Sequence, residues 1–270
     1  MPLIYKDILY FKFDNLTQYQ SVITHFVSSR IGCWDDEDFT IGLNGYLDNK
    51  IVLRNREYLA TKFGFKAADF VFAEQVHGVK VEVVTPMQKG KGAFSKNDAL
   101  QHSDAWITNY PGICLVAQAA DCVPILFYDP VNNAIGAAHA GWKGTVNRIA
   151  ANVVKSMISE YGTNPAKLLV GIGPSAGPCC YEVGDDVISV VNKEFPPKYD
   201  LLLYYPDREK PVLDLWRANL YALLEVGVPV GNIELAGLCT ICNNHVFFSA
   251  RCGDRGRFGG AIMLNVLGQN

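Results

Sequence analysis

Four apolar runs of strand length crowd the middle of the chain: Asp104–Thr108, Ile113–Ala120, Pro124–Tyr128 and Ala134–Ala138. With turn residues between them, they form the densest β region of the sequence. Two of these runs stop on chemistry, the second at Asp121-Cys122 and the fourth at His139, and an earlier run, Phe70–Val76, stops at His77. Strand ends are where a sheet can bring distant residues together. Two imidazoles and one thiolate make a three-ligand zinc set that leaves a fourth position for water, the arrangement of a catalytic rather than a structural site. Small neighbours, Gly78 and Ala140-Gly141, leave room for metal or substrate. A metal-free reading of the same residues is a Cys–His hydrolase, with Cys122 as nucleophile and His139 or His77 as base.

Around this region the patterns alternate. Val22–Val27 reads as a strand, residues 33 to 46 as irregular, and Asp48 as the cap of a helix over 50–63 that carries Arg54 and Arg56 and stops at Gly64. Strands are expected at 69–76 and 79–84, then a long loop from Thr85 to Ser103; loops of that length usually have a function or are mobile. Thr145 caps an expected helix containing Val146, Ile149, Val153, Met157 and Tyr161 at helical spacing. Beyond it come a strand over 168–172, helices over 184–195 and 213–226, and short strands over 233–236, 246–250 and 261–266. There is no internal repeat, low-complexity tract or linker. At 270 residues and 49% hydrophobic, the chain can bury its core as one domain.

A net charge of −3 gives no basic field to attract a phosphate backbone, so nucleic acid and membrane surfaces are excluded as partners in favour of a small solute. The start, Met1-Pro2-Leu3-Ile4-Tyr5-Lys6-Asp7, lacks the pattern of a signal peptide, and no apolar run approaches the roughly 18 residues of a membrane span, so a soluble, cytoplasmic protein is expected. Eight cysteines without an export signal are expected to remain thiols or bind metal. Cys239-Thr240-Ile241-Cys242, with His245 and Cys252, looks like half a zinc ribbon, but no second CxxC follows; two buried thiols are the preferred reading. Packing is likewise preferred for the adjacent pair Cys179-Cys180.

Gly141-Trp142-Lys143-Gly144-Thr145 places flexible backbone and a cation at a helix N-terminus, an anion cradle in kind though not a Walker A motif. Gly173-Pro174-Ser175-Ala176-Gly177 is a similar but more structural turn. Arg251, Arg255 and Arg257 suit a solvated face about as well as an oxyanion clamp.

Several motifs, in order, resemble the YfiH/laccase-domain family: Phe26-Val27-Ser28-Ser29-Arg30, Asn55-Arg56, Gln75-Val76-His77-Gly78, Asp104-Ala105, Ala120-Asp121-Cys122-Val123-Pro124, Ala138-His139-Ala140-Gly141-Trp142-Lys143-Gly144, Gly173-Pro174 through Gly177-Pro178-Cys179-Cys180-Tyr181-Glu182-Val183, and Cys239-Thr240 with Cys242 and Phe247-Phe248-Ser249-Ala250-Arg251. The series spans essentially the whole chain. Val27 stands where the family usually has Gly, and Ala250 where it has Tyr or His. Members are known as polyphenol oxidases (laccases), as peptidoglycan editing factors, and as purine nucleoside phosphorylases with adenosine deaminase activity. The resemblance implies a mixed α/β (α+β) fold, a single YfiH-like domain over 1–270 of mixed β-sheets flanked by helices. It also implies zinc on His77, Cys122 and His139. The implied activity is phosphorolysis of adenosine, inosine and methylthioadenosine to free base and pentose 1-phosphate, together with deamination of adenosine to inosine.

On that reading zinc activates hydroxide against adenine C6, and phosphate attacks ribose C1′. Arg56 is the first choice for phosphate, then Lys143, then Arg251, because oxyanions need charged donors. Asp121 or Gln75 would orient the ligands or the nucleoside by hydrogen bonds. A four-copper oxidase needs on the order of ten His, mostly in His-x-His pairs, because imidazole suits copper. This chain has five His and no such pair. Copper can occupy the same His₂Cys site, so laccase-like oxidation ranks below purine chemistry, and a Cys–His hydrolase in cell-wall precursor editing ranks third.

Overall fold

The computed structural model describes residues 3–6, 8–32 and 38–266; Met1, Pro2, Asp7, residues 33–37 of the expected irregular stretch and residues 267–270 lie outside them. The strands in chain order are β1 (Leu3–Lys6), β2 (Ile8–Phe11), β3 (Ile23–Ser28), β4 (Phe70–Val71), β5 (Val81–Val83), β6 (Ala105–Thr108), β7 (Cys114–Ala119), β8 (Val123–Asp129), β9 (Ala134–Ala140), β10 (Leu169–Ile172), β11 (Leu202–Leu203), β12 (Val212–Leu213), β13 (Ile233–Leu235) and β14 (Phe258–Leu264). The helices are α1 (Asp14–Thr17), α2 (Asn49–Lys62), α3 (Trp142–Val146), α4 (Ile149–Tyr161), α5 (Asp185–Glu194) and α6 (Leu215–Glu225). The result is a mixed α/β fold: one six-stranded sheet in the order β1-β2-β3-β14-β7-β4, a second in the order β13-β10-β8-β9-β6-β5, and a small β11-β12 ribbon.

β8, β9 and β14 are buried at every position. That explains why they read as continuous apolar runs instead of alternating ones: each has one face on the other sheet and one under helices. Leu115 and Ile262 of the first sheet meet Leu126 and Ile135 of the second in one core. On the far side, Ile149, Val153 and Met157 of α4 pack with Leu215, Ala218 and Leu223 of α6 and with Ile125 and Phe127 of β8. Each of the larger side chains, the Ile, Val, Met, Leu and Phe, fully removed from water, contributes about 1.5–3 kcal/mol.

Asp48 caps α2 as expected, its carboxylate accepting from the Lys50 N–H, and Gly64 beyond the helix has the positive φ, +78°, that suits glycine. Five expectations are corrected. The helix expected from Thr145 begins at Trp142 and breaks at Arg148, whose φ of +63° is left-handed and separates α3 from α4. The apolar stretch 246–250 is a turn, because Phe247 and Phe248 point into the core from non-repetitive backbone. The run 69–76 pairs only over Phe70–Val71, and 79–84 only over Val81–Val83. His139 lies within β9, not past its end. Among the described residues, no helix is long and apolar enough to cross a membrane.

Candidate metal centre and its pocket

Strand register brings the three candidate ligands together. The antiparallel β8–β9 pairing sets Pro124 opposite His139, so Cys122, two residues before Pro124, falls beside the imidazole. The β6–β9 pairing sets Ala105 opposite Ala138, and the parallel β5–β6 pairing sets Val81 opposite Ala105, which carries the 76–80 segment to the same end of the sheet. The ligand atoms of His77, Cys122 and His139 all lie within 4.8 Å of one another. A tetrahedral zinc with N and S ligands spaces them on the order of 3.5 Å apart, so the donor set fits such an ion with slight closure. The two rings sit edge to face, centroids 4.9 Å apart.

Asp104 organises this end of the sheet and is 0% exposed. It accepts from the backbone N–H groups of Val76, His77 and Gly78, and its Oδ1 lies 2.8 Å from His139 Nδ1. Burial opposes its ionisation, but the His139 contact and the N–H donors of Gly78 and Val76 outweigh this and hold the carboxyl below its ordinary value. With the proton of His139 kept on Nδ1, the Nε2 lone pair is free to face a metal. Burial also opposes ionisation of the Cys122 thiol, yet His139 and His77 bring it down to about 6. His139, whose cation burial disfavours, is raised by Cys122 and Asp104 to about 9. Without a metal, the pair is thiolate and imidazolium.

Two neighbouring residues carry positive φ, His77 (61°) and Asp121 (84°), conformations uncommon outside glycine that concentrate at functional sites. Gly141 is required by space: a Cβ there would stand 2.7 Å from His77 Cδ2 and 3.2 Å from Cys122 Sγ.

The three ligands open onto a pocket of about 770 Å³. Its wall carries the cations Arg56, Lys96, Lys143, Arg251 and Arg257 and the aromatic rings of Phe72, Trp142 and Tyr181. Each expected contact residue lines it, in different roles. Arg56 is 1% exposed and stacked on Phe72, and its Nε and Nη1 donate to the carbonyls of Ile41, Gly92 and Ala93. Burial lowers its affinity for a proton, to about 9. Lys143 is exposed, and Arg251 lies over the Tyr181 ring with one donor on the Glu182 carbonyl. Gln75 pairs both ways with the Gln118 backbone. Asp121 accepts from Thr240 Oγ1, Ser249 Oγ and the Arg251 N–H. The last two residues brace the wall through bonds already made within the protein.

Sequence reasoning missed Asp104 as a centre of hydrogen bonding, and Phe72 and Tyr181 as wall residues; Arg257, weighed between a solvated face and an oxyanion clamp, lines the wall. Asp104 directly precedes β6, whose first residue, Ala105, pairs with Ala138 beside His139, a register that no local sequence signal marks. The long loop 85–103 supplies Gly92, Lys96 and Ala99 to the pocket. Arg255 is outside the wall. Cys239 is buried, but the reading of two buried thiols fails for Cys242, which is exposed, as is Cys179; the sulfurs of Cys179, Cys180, Cys239 and Cys242 gather in one group that includes neither His245 nor Cys252.

Residues 24–265 match the family model described as multi-copper polyphenol oxidoreductase laccase. The chain is 38% identical over 232 residues to purine nucleoside phosphorylase YlmD of Bacillus subtilis (strain 168), covering 86% of this chain and 82% of that protein. It is 35% identical over 200 residues to adenosine deaminase RL5 of an unknown prokaryotic organism, covering 74% of this chain and 76% of that one. The crystal structure of a hypothetical protein YfiH from Bacillus licheniformis superposes with a TM-score of 0.88 at 33% identity, covering 98% of this chain and 99% of that one. The chain belongs to this laccase-domain (YfiH-like) family.

Proposed function

We propose that this chain is a zinc-dependent purine nucleoside enzyme, which splits adenosine, inosine and methylthioadenosine with phosphate and deaminates adenosine to inosine. The observation that carries the reading is a His₂Cys ligand set set into the wall of a pocket lined by cations and aromatic rings. Relatives bearing the names purine nucleoside phosphorylase and adenosine deaminase support it.

His77, Cys122 and His139 would hold the ion, and Asp104 keeps the His139 proton on Nδ1 so that Nε2 could ligate. When bound, zinc would supply Lewis acidity, the chemistry that makes water a nucleophile near neutral pH. Trp142, half-buried in the wall, offers a face on which a purine can stack, whereas the Phe72 and Tyr181 rings already carry Arg56 and Arg251. Lys143 and Arg251, at the exposed rim, hold the phosphate oxyanion; Arg56, in the deeper wall, adds positive charge while tying α2 to the loop carrying Gly92. In phosphorolysis a phosphate oxygen bonds to C1′ as the C1′–N9 bond breaks, and the electron pair leaves on the purine. In deamination a water oxygen bonds to C6 and ammonia departs.

The test is chromatography of adenosine incubated with pure protein, with and without phosphate. Adenine and ribose 1-phosphate are expected only with phosphate, and inosine in both. Absence of all three products rejects the reading. Cys122→Ala is expected to abolish both reactions.

A second reading has its own observation. Cys122, His139 and Asp104 form a hydrogen-bonded series with an ionised thiol, as in a metal-free cysteine hydrolase of cell-wall precursors. On that reading chelation leaves activity intact. Copper in the same three ligands would instead give phenol oxidation that scales with bound copper.

A further inference from the structure

A second set of soft ligands gathers outside the His₂Cys centre. Cys179 and Cys180 lie on the turn that follows β10, and Cys239 and Cys242 on the turn that follows β13, and the backbones of Ser175 and Cys239 bridge the two segments. The Cys179 and Cys180 sulfurs stand 3.5 and 3.3 Å from Cys242 Sγ, and all four sulfurs lie within 4.8 Å of one another. Four thiolates around one zinc at about 2.3 Å form a tetrahedron with edges of about 3.8 Å, inside that spread. A disulfide would need sulfurs about 2.05 Å apart.

Three features argue for a cation at the centre. Cys179 and Cys242 are exposed, so apolar packing does not account for the cluster. The backbone N–H groups of Cys242, Gly177 and Ile241 all point at Cys239 Sγ, with Gly177 N at 3.3 Å. Donors converging in this way suit a sulfur anion far better than a neutral thiol, which is a weak acceptor. The turn closed by Cys180 N–H and Tyr181 N–H on the Gly177 carbonyl gives the adjacent cysteines the kink needed to face one point.

We propose that Cys179, Cys180, Cys239 and Cys242 form a closed, four-thiolate zinc site that staples two loops behind the pocket. On loading, each thiol releases its proton and the four sulfurs donate to Zn²⁺, giving a complex of net charge −2. The staple acts on the pocket through short paths. Thr240, inside the CxxC, donates to Asp121, the neighbour of Cys122, and Tyr181 directly follows Cys180 on the pocket wall. A four-coordinate sulfur site leaves no position for water, so its role is structural.

The test uses the full chain, expressed with zinc and purified anaerobically under reducing conditions without chelator, with metal per chain read by mass spectrometry. About two zinc ions per chain are expected, falling to about one in Cys122→Ala and to about one in the double variant Cys179→Ser/Cys242→Ser. Should the double variant fail to fold, cobalt loading of Cys122→Ala gives a second readout: an intense thiolate-to-cobalt charge-transfer band is expected, although the first centre has lost its sulfur. Zinc content unchanged by the double substitution, a Cys180–Cys242 disulfide in the anaerobic protein, or no such band in Cys122→Ala would each overturn the site. None of these readouts depends on which substrate the first centre turns over.

Discussion

Asp104 shows how one carboxylate can set the chemistry of a neighbouring centre. It accepts three backbone N–H groups from the segment bearing His77 and also touches His139, so it fixes both imidazoles at once. Asp104→Asn is expected to weaken zinc binding about 10–100-fold in competition with a chromophoric chelator, the usual cost of losing such an outer partner. Gly141→Ala is expected to lower zinc occupancy as well, because its methyl would overlap His77 and Cys122. Cys122 gives a pH signature. With its thiol brought down to about 6, the thiolate fraction rises through that pH, so in metal-free protein iodoacetamide alkylation should approach its plateau by pH 7. An ordinary thiol would still be climbing near pH 8.5. Peptide mass spectrometry of Cys122 across pH checks this, and added zinc should suppress the reaction. His77, Cys122 and His139 were legible in the sequence because each is a polar residue closing an apolar run. Asp104 was not, since its importance lies in partners that only strand register reveals.

Elements with strong local signals were legible, and those defined by long-range pairing were not. α2 carries its cap and its stop in its own residues, Asp48 and Gly64. Asp48→Ala is expected to destabilise the protein by about 1 kcal/mol in urea unfolding, the usual cost of a lost cap. The α3–α4 break was invisible because Val146 and Ile149 continue the apolar spacing while Arg148 adopts a left-handed conformation that no local pattern demands. The stretch 246–250 misled for the opposite reason. Phe247 and Phe248 are buried, as strand residues would be, but the Ser249 hydroxyl and the Ser249 and Arg251 N–H groups bond to Asp254 and Asp121 instead of to a neighbouring strand. β4 shrank because its flank bonds to the long loop: Phe72 N–H to the Lys91 carbonyl, and Glu74 N–H to the Leu100 carbonyl.

At the scale of the whole molecule, two stacked sheets bury a polar group whose titration should be felt in overall stability. His25 on β3 is buried and accepts the Phe13 N–H at 3.0 Å. Burial, with Lys12 nearby, lowers its pKa to about 3 despite that hydrogen bond. Its contribution is therefore complete above pH 6.5, where the unfolded chain is also neutral. It is lost as pH falls from 6.5 towards 3, because only the unfolded chain takes up the proton, at up to roughly 1.4 kcal/mol per pH unit. Urea midpoints should drop steadily from pH 7 to pH 4, and His25→Asn should flatten that slope. The mixed α/β class was what the family resemblance implied, whereas the division of strands between two sheets was not legible: β14, the last strand among the described residues, sits between β3 and β7. The pocket has an uneven foundation: His139 is anchored within β9 and Cys122 directly precedes β8, whereas the Lys143 and Arg251 side chains stand exposed, so drift at the rim can proceed without disturbing the hearth.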